Sequence, residues 1–383
     1  LDMNNTMEIP IYLDYNASTP IYPDVVNVMR PLLEIGYANP SSPHEAAAAA
    51  RASIDIARQQ VADLLGAAPD EIVFTSGGSE ANNYALRGAF SAQRDRGNHI
   101  ITSQVEHPAI IETCRYLETQ GAEVIYLAVD GMGRVDPDDV RNAITKQTTL
   151  ISIMHSNNEV GTLQPIPEIA QIAADHDVLM HTDAAQSPGK VSLNVVDSGV
   201  NLLSLAGHKF GAPKGIGVLY IRRGVILERL IHGAGHEVGR RAGTESALLI
   251  AGIGKAAEIA TTLSSVKSIR TLRDFFWEGL QVNFGDRVLL NGDPIARLPN
   301  TLNVSFLDNQ GATVLQHLDG VAASTGSACH TGQMEPSPVL TAMGIDRNRA
   351  LSAVRFSLGY FTTKDEIEVV LRKLKQSIST ERE

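Results

Sequence analysis

Short apolar runs recur between residues 71 and 221, with helical spacing between most of them. Runs at 71–75, 99–102, 123–127, 149–154, 178–182, 201–205 and 217–221 have the length and β-rich make-up of strands. The stretches 79–96, 108–120, 137–144 and 167–176 carry apolar residues at helical spacing. This alternation predicts an α/β domain whose mainly parallel, seven-stranded sheet is covered by helices. Before it, 43–65 reads as a long helix, Ala-rich at first and then periodic, and after it 244–284 is largely helical. The rhythm then changes to strands at 302–306 and 353–358 and helices near 310–318 and 364–377, which predicts a smaller α+β domain. The expected division is a large domain over 16–263, with 1–15 and 264–383 forming the small one. No internal repeat, low-complexity tract or long linker interrupts the pattern.

With 383 residues, 43% of them hydrophobic and 20% charged, the chain can bury a sizeable core in two domains. A formal net charge of -11 without any Lys/Arg block argues against direct nucleic-acid binding and leaves small molecules and protein partners. No apolar run approaches the roughly 18 residues of a membrane span, and residues 1–10 show no signal-peptide pattern. Only Cys114 and Cys329 occur. A disulfide framework or cysteine-rich metal site is therefore not expected, and a reducing cytoplasm is the expected setting. Cys114 falls at helical spacing within 110–117 and reads as core.

Ligands of open parallel sheets bind at the carboxyl ends of the strands, and the polar motifs fall there. The run ending at Ala206 delivers His208-Lys209 into a Gly/Pro-rich turn. A lysine desolvated at such a place can form a Schiff base with an aldehyde cofactor, although most lysines in turns are simply solvated. Thr75-Ser76-Gly77-Gly78-Ser79-Glu80 turns from a strand into a helix whose free N–H groups suit a phosphate, with Ser79 adding a hydroxyl. The plainer reading is an ordinary helix start with Ser79 as N-cap. It is not a Walker loop, since no Lys-Ser/Thr follows at the required spacing. His107, in Glu106-His107-Pro108, could stack on an aromatic cofactor and move protons, or sit at a helix start satisfied by backbone. Asn157-Asn158 could donate to a cofactor oxygen or form a turn. Asp183 ends an apolar strand, so it should be partly desolvated and want a cationic partner. A protonated pyridine nitrogen is one such partner, and capping the next turn is the alternative. Weak singly, these signals fit one group jointly: a phosphorylated pyridine aldehyde, pyridoxal 5'-phosphate. A final motif, 324–332, sets Cys329 among small polar residues with His330 adjacent. A loop thiol there could attack a substrate atom. Cysteines are more commonly buried, but the flanking Ser, Thr and Gly make burial less expected.

The ordered motifs resemble those of the cysteine desulfurases (NifS/IscS-like), within the class V aminotransferase-type pyridoxal phosphate enzymes of fold type I. The likeness covers nearly the whole chain. It runs from Tyr12-Leu13-Asp14-Tyr15-Asn16-Ala17 and Asn39-Pro40-Ser41-Ser42 through the motifs above, including Asn157-Asn158-Glu159-Val160-Gly161 and Asp183-Ala184-Ala185-Gln186. It continues in Arg241-Ala242-Gly243-Thr244, Gly326-Ser327-Ala328-Cys329 and Arg355-Phe356-Ser357-Leu358-Gly359. The resemblance implies Lys209 as Schiff-base lysine, Asp183 as partner of the ring nitrogen, Gln186 on the ring oxygen and His107 stacked on the ring. Gly78, Ser79 and His208 would hold the phosphate, with Thr244 reaching the phosphate of the other subunit of a homodimer. Asn158, Arg355 and Asn39 would bind substrate. A guanidinium at Arg355 suits a carboxylate because it can pair with it bidentately.

The implied reaction converts L-cysteine to L-alanine. Lys209 or His107 moves protons, and Cys329 takes the sulfur as a persulfide for a sulfur-acceptor protein. That acceptor would be an iron–sulfur scaffold, a thiolation enzyme or a DNA-modification system. No metal is implied. Two departures stand out. Ala206 occupies a position where many relatives have a phosphate-binding Ser. Gly243-Thr244-Glu245, Ala328-Cys329-His330 and Pro336-Ser337-Pro338 lean toward selenocysteine lyase, which makes release of selenide the second expectation. The length from Cys329 to Glu335-Pro336-Ser337 fits the group that donates sulfur to proteins.

Overall fold

Each apolar run between 71 and 221 forms a strand: β1 (Ile72–Thr75), β2 (His99–Ser103), β3 (Glu123–Leu127), β4 (Thr148–Ser152), β5 (Leu179–Asp183), β6 (Leu202–Ala206) and β7 (Gly217–Ile221). The computed structural model describes residues 10–262, 265–326, 328–330 and 333–380, with the backbone alone at 328–330, 333–334 and 379–380. The seven strands make one sheet in the order β1-β7-β6-β5-β4-β2-β3. All neighbours pair in parallel except at β7, which is antiparallel to both β1 and β6. The exception follows from connection length. Only a short turn separates β6 from β7, too little for a crossover helix, so the chain folds straight back. The inner strands β2, β4, β6 and β7 are buried at every position, because helices cover both faces. Edge strand β3 alternates exposed and half-buried residues before ending on buried Leu127.

The crossovers are the helices Gly78–Ala92, Pro108–Thr119, Pro137–Ala143 and Ile166–Asp175. Three of them place Pro in the first turn, where its missing N–H breaks no helical hydrogen bond. Two long patterns divide. The helix expected over 43–65 opens with a tight turn, Glu45–Ala47, before Ala48–Leu65, and the helical region 244–284 breaks into Ala247–Thr261 and Val266–Phe284. The helix Pro23–Glu34 was not anticipated. It contains Pro31 and buries only Val25, although Val25, Met29 and Leu32 fall at helical spacing. Among the described residues, no single helix is long and apolar enough to cross a membrane.

A second, antiparallel sheet has Thr301–Phe306 at its centre, flanked by Val288–Asn291 and Ala353–Ser357. Val288–Asn291 has two half-buried positions, and the sequence pattern did not reveal it. Phe276, Phe306 and Phe356 form the heart of this region with Leu13 from near the chain start. Each such side chain stabilises by about 1.5–3 kcal/mol on burial. Separate cores fill the two faces of the large sheet, one around Ile151, Leu203 and Val218, the other around Val73, Ile100 and Leu219. A small cluster joins Val105, Met154 and Val160 to Val339, Leu340 and Met343, packing the loops beyond β2 and β4 against the second sheet's helices.

Candidate active site

The carboxyl ends of β1, β5 and β6 and the loops after β2 and β4 surround a cavity of about 660 Å³. Its floor at one end is the turn from β1 into the helix Gly78–Ala92. The N-cap, Gly77, brings no capping side chain, so the first-turn N–H groups keep no side-chain acceptor. Ser79 is exposed, lines the cavity and does not cap the helix, which sets aside the plainer reading of that motif. The turn lies flat because Gly217 faces it from between Thr75 and Ala206. A Cβ on Gly217 would lie 2.5 Å from the Gly77 carbonyl carbon. Glu80 ties the turn down, accepting from Ser76 N at 2.8 Å and Arg241 Nε at 2.9 Å. Burial acts to raise the Glu80 pKa, but Arg241 and Ser76 together outweigh it and hold it low. Ala206 also lines the cavity, so β6 offers a methyl group there and no hydroxyl.

Asp183 closes β5 with only 6% of its surface exposed. Its Oδ2 accepts from Asn82 Nδ2 at 2.7 Å and its Oδ1 from Ala185 N at 2.9 Å. The turn-capping alternative is thus realised at one oxygen, yet the carboxylate makes no ion pair among the described residues. Two groups that line the same cavity feel its charge. The Lys209 pKa is lowered to about 8, first by burial and then by Arg355, with Asp183 and Asp14 pulling the other way. Lys209 Nζ donates to two backbone carbonyls, Asn16 O at 2.7 Å and Ala17 O at 3.0 Å. His107 exposes its ring in the cavity mouth and is lowered by desolvation there, against the pull of Asp183. It also caps the helix Pro108–Thr119, Nδ1 accepting from Ala109 N at 3.1 Å. The neutral ring therefore carries its proton on Nε2, the nitrogen free to act. His208 is lowered to about 4, chiefly by burial, and so offers a neutral ring at pH 7.

Gln186 is held at both ends of its amide: Nε2 donates to Asn16 O at 2.9 Å and Oε1 accepts from Lys190 Nζ at 3.1 Å. Arg355 reaches in from Ala353–Ser357, donating to Asp14 Oδ1 at 2.7 Å and Asn158 O at 3.1 Å. Its buried Nε has no partner among the described residues. Asn158 and Arg355 both line the cavity.

Gly78, Ser79, His107, Asn158, Asp183, Gln186, His208, Lys209 and Arg355 therefore share one cavity. Asn39 and Thr244 do not join them. Both are exposed, and Asn39 Oδ1 instead closes a turn by accepting from Ser41 N at 2.9 Å. The Cys329 side chain lies outside the described residues. Where the sequence suggested a loop, the backbone at Ala328–His330 pairs antiparallel with Gln333–Glu335. Cys114 is buried, as expected, and burial pushes its thiol up to about 12. Sequence reasoning gave no separate role to Asp14, Asn16, Asn82, Glu106 or Lys190. Asp14, Asn16, Asn82 and Lys190 are partners of recognised residues rather than ends of apolar strands, and Glu106 bonds Ser103 and Met154. Asp14, Asn16 and Glu106 stood inside quoted motifs, and Asn82 and Lys190 carried no local signal.

The donor set fits pyridoxal phosphate. A helix start without a capping side chain meets a phosphate, Lys209 meets an aldehyde, and the unpaired charge of Asp183 meets a protonated ring nitrogen. Buried Asn82 Oδ1, beside Asp183, also lacks a partner among the described residues.

Residues 11–370 match the Aminotransferase class-V family, and the chain belongs to that family of pyridoxal-phosphate-dependent enzymes. Among its relatives is a cysteine desulfurase IscS of Dictyoglomus turgidum, 46% identical over 97% of this chain and 95% of its own. The cysteine desulfurase IscS of Methanosarcina thermophila is 45% identical over 96% of this chain and 92% of its own. Among solved structures, a NifS-like protein superposes with a TM-score of 0.91 at 36% identity, covering 97% of this chain and all of its own. SspA in complex with cysteine gives 0.82 at 39% identity, covering 91% of this chain and 98% of its own. The fold is thus that of the type I pyridoxal phosphate enzymes, as the sequence indicated. The relatives favour the desulfurase expectation over the selenocysteine lyase one.

Proposed function

We propose that this chain is a pyridoxal-phosphate-dependent cysteine desulfurase. It converts L-cysteine to L-alanine, and Cys329 keeps the sulfur as a persulfide for an acceptor protein. The observation that carries the reading is the meeting, in one cavity, of a lysine lowered to about 8, a buried carboxylate without a counter-ion and a helix start without a capping side chain. When bound, the cofactor supplies an aldehyde for amines and a ring that draws off electrons.

The protein's own groups divide the remaining work. Ser79, Gly78 and His208 hold the phosphate. Asp183, steadied by Asn82 and Ala185, keeps a proton on the ring nitrogen. Arg355 grips the substrate carboxylate beside Asn158. Lys209 Nζ and His107 Nε2 carry protons between substrate carbon and sulfur. The lowered Lys209 pKa puts a useful fraction of free amine at neutral pH. At Cys329 an S–S bond forms as the substrate C–S bond breaks, and the freed carbon takes a proton, so alanine leaves and sulfur stays. Residues 16–263 form the cofactor domain, and 1–15 with 264–383 form the domain bearing Cys329. Thr244 and Asn39, exposed in one chain, complete the site across a homodimer. Acceptors of the iron–sulfur assembly or thiolation class fit the persulfide product, and the enzyme works in the cytoplasm.

The test is alanine and sulfide release from L-cysteine, and alanine and selenide release from L-selenocysteine, for the wild type beside Cys329→Ser. Cysteine turnover lost in the variant, with the cofactor's visible absorbance kept, is the expected result. Turnover of selenocysteine alone would move the assignment to selenocysteine lyase. Loss of the absorbance in the variant would contradict the division of labour between Lys209 and Cys329.

A further inference from the structure

Lys190 is a buried lysine with no anion beside it among the described residues. Only 9% of its surface is exposed, it follows β5 by a short turn, and it makes no ion pair among the described residues. The charged groups acting on it are Lys209 and Arg355, both cations, and with burial they lower its pKa to about 7. A cation in such a place is costly, and an apolar side chain would fill the space at less cost. The hydrogen bond of its side chain explains its presence: Nζ donates to Gln186 Oε1 at 3.1 Å.

We propose that Lys190 is a positioning residue that locks the amide of Gln186, so that the cofactor ring oxygen meets an N–H donor and never a carbonyl. When protonated, the Lys190 amine is a donor only, which sets Oε1 on its side. The opposite end is fixed by Asn16 O, an acceptor only, which takes Gln186 Nε2 at 2.9 Å. A flipped amide would set oxygen against oxygen at Asn16 and N–H against N–H at Lys190. One Nε2 hydrogen is spent on Asn16, and the second is left for the cavity that Gln186 lines. Asn16 O also accepts from Lys209 Nζ at 2.7 Å. A short relay, Lys190–Gln186–Asn16–Lys209, therefore connects the buried cation to the lysine that binds the cofactor. The inference rests on the reading that Gln186 faces that ring.

An N–H held against the ring oxygen favours the oxygen's anionic form and lowers the proton affinity of the bound chromophore. The experiment is a pH titration of the visible absorbance of the reconstituted holoenzyme, which reads the cofactor's surroundings without turnover. Lys190→Met should raise the midpoint by about one pH unit, a tenfold rise in proton affinity. Lys190→Arg keeps the donor, and a cavity of about 40 Å³ lined by Lys190 and Lys209 gives the longer side chain room. It should restore a midpoint near that of the wild type. In a Gln186→Leu background, Lys190→Met should add no further shift, because its effect passes through Gln186. An equal shift in that background would overturn the proposal, since Lys190 would then act by its charge alone. So would a coloured Lys190→Met enzyme with an unmoved midpoint. Should Lys190→Met not fold, Lys190→Gln takes its place with the same Gln186→Leu comparison. A wild type that takes up no cofactor would overturn the functional reading and this inference together.

Discussion

Glu106 stands beside His107 with its carboxyl entirely inside the protein, and replacing it with Gln should stabilise the enzyme at neutral pH. Its Oε1 accepts from Ser103 Oγ at 2.7 Å and Met154 N at 2.8 Å, while buried Oε2 has no partner among the described residues. Burial, opposed by those two bonds and reinforced by the nearby charge of Asp183, pushes the pKa from 4.5 up to about 8. The acid is thus neutral in the fold but ionised in the unfolded chain between those two values. A raised carboxyl pKa means that stability is highest below 4.5, falls as pH rises and levels off above about 8. At about 1.4 kcal/mol per pH unit, Glu106 costs about 3 kcal/mol at pH 7. Gln keeps the acceptor at Oε1 and likewise leaves one polar atom unpaired, so near pH 5 the two proteins should be close in stability. Their thermal midpoints, measured by calorimetry from pH 5 to pH 8, should separate by a few degrees in favour of Glu106→Gln. Other pH-dependent groups are common to both proteins and cancel in the difference. Parallel curves, or a wild type that gains on the variant as pH rises, would refute the reasoning and mean that Glu106 is ionised in the fold. Neutrality has a consequence for the site: a charged Glu106 would compete with Asp183 for the ring cation.

Arg355→Lys should raise KM for cysteine by about tenfold or more while leaving the cofactor absorbance unchanged, because an ammonium lacks the planar fork that can hold Asp14 and Asn158 and still pair bidentately with a substrate carboxylate. Steady-state kinetics with an absorbance spectrum check it, and an unchanged KM would remove Arg355 from substrate binding. Gly217→Ala should weaken cofactor retention by roughly tenfold, since its Cβ would press to 2.5 Å from the Gly77 carbonyl carbon and lift the phosphate turn. Equilibrium dialysis of the holoenzyme measures it, and retention equal to wild type would show that the turn can yield.

Where the sequence spoke clearly, local pattern and global position coincided. Parallel strands covered on both faces are buried along their length and rich in apolar residues, so β2, β4, β5 and β6 announced themselves. Whatever polar residue ended such a run was placed at the sheet's ligand-binding edge. Asp183 and the His208-Lys209 pair follow β5 and β6 in this way, and Gly78-Ser79 follow β1. The antiparallel return of β7 left no such mark, because it depends on the shortness of a turn rather than on composition. Strand Val288–Asn291 buries too little to imprint a period, whereas the helix Pro23–Glu34 carries the period but is disguised by Pro23 and Pro31. At the site, sequence revealed the groups that meet the cofactor better than the groups that hold them. Asn82 and Asn16 are brought in by tertiary packing from a helix and from near the chain start, and nothing nearby in sequence names their partners; Lys190 lies only four residues from its partner Gln186, but no pattern marks the pair. Asn39 and Thr244 show the converse. Resemblance named them, yet one chain leaves both in solvent, which is the exposure a residue needs if it is to serve a neighbouring subunit's cavity. A test of Thr244 belongs in mixed dimers: inactive Lys209→Ala chains paired with inactive Thr244→Ala chains place both defects in one site and leave the other intact. About half the wild-type activity should return if Thr244 serves across the interface, and almost none if it serves its own chain.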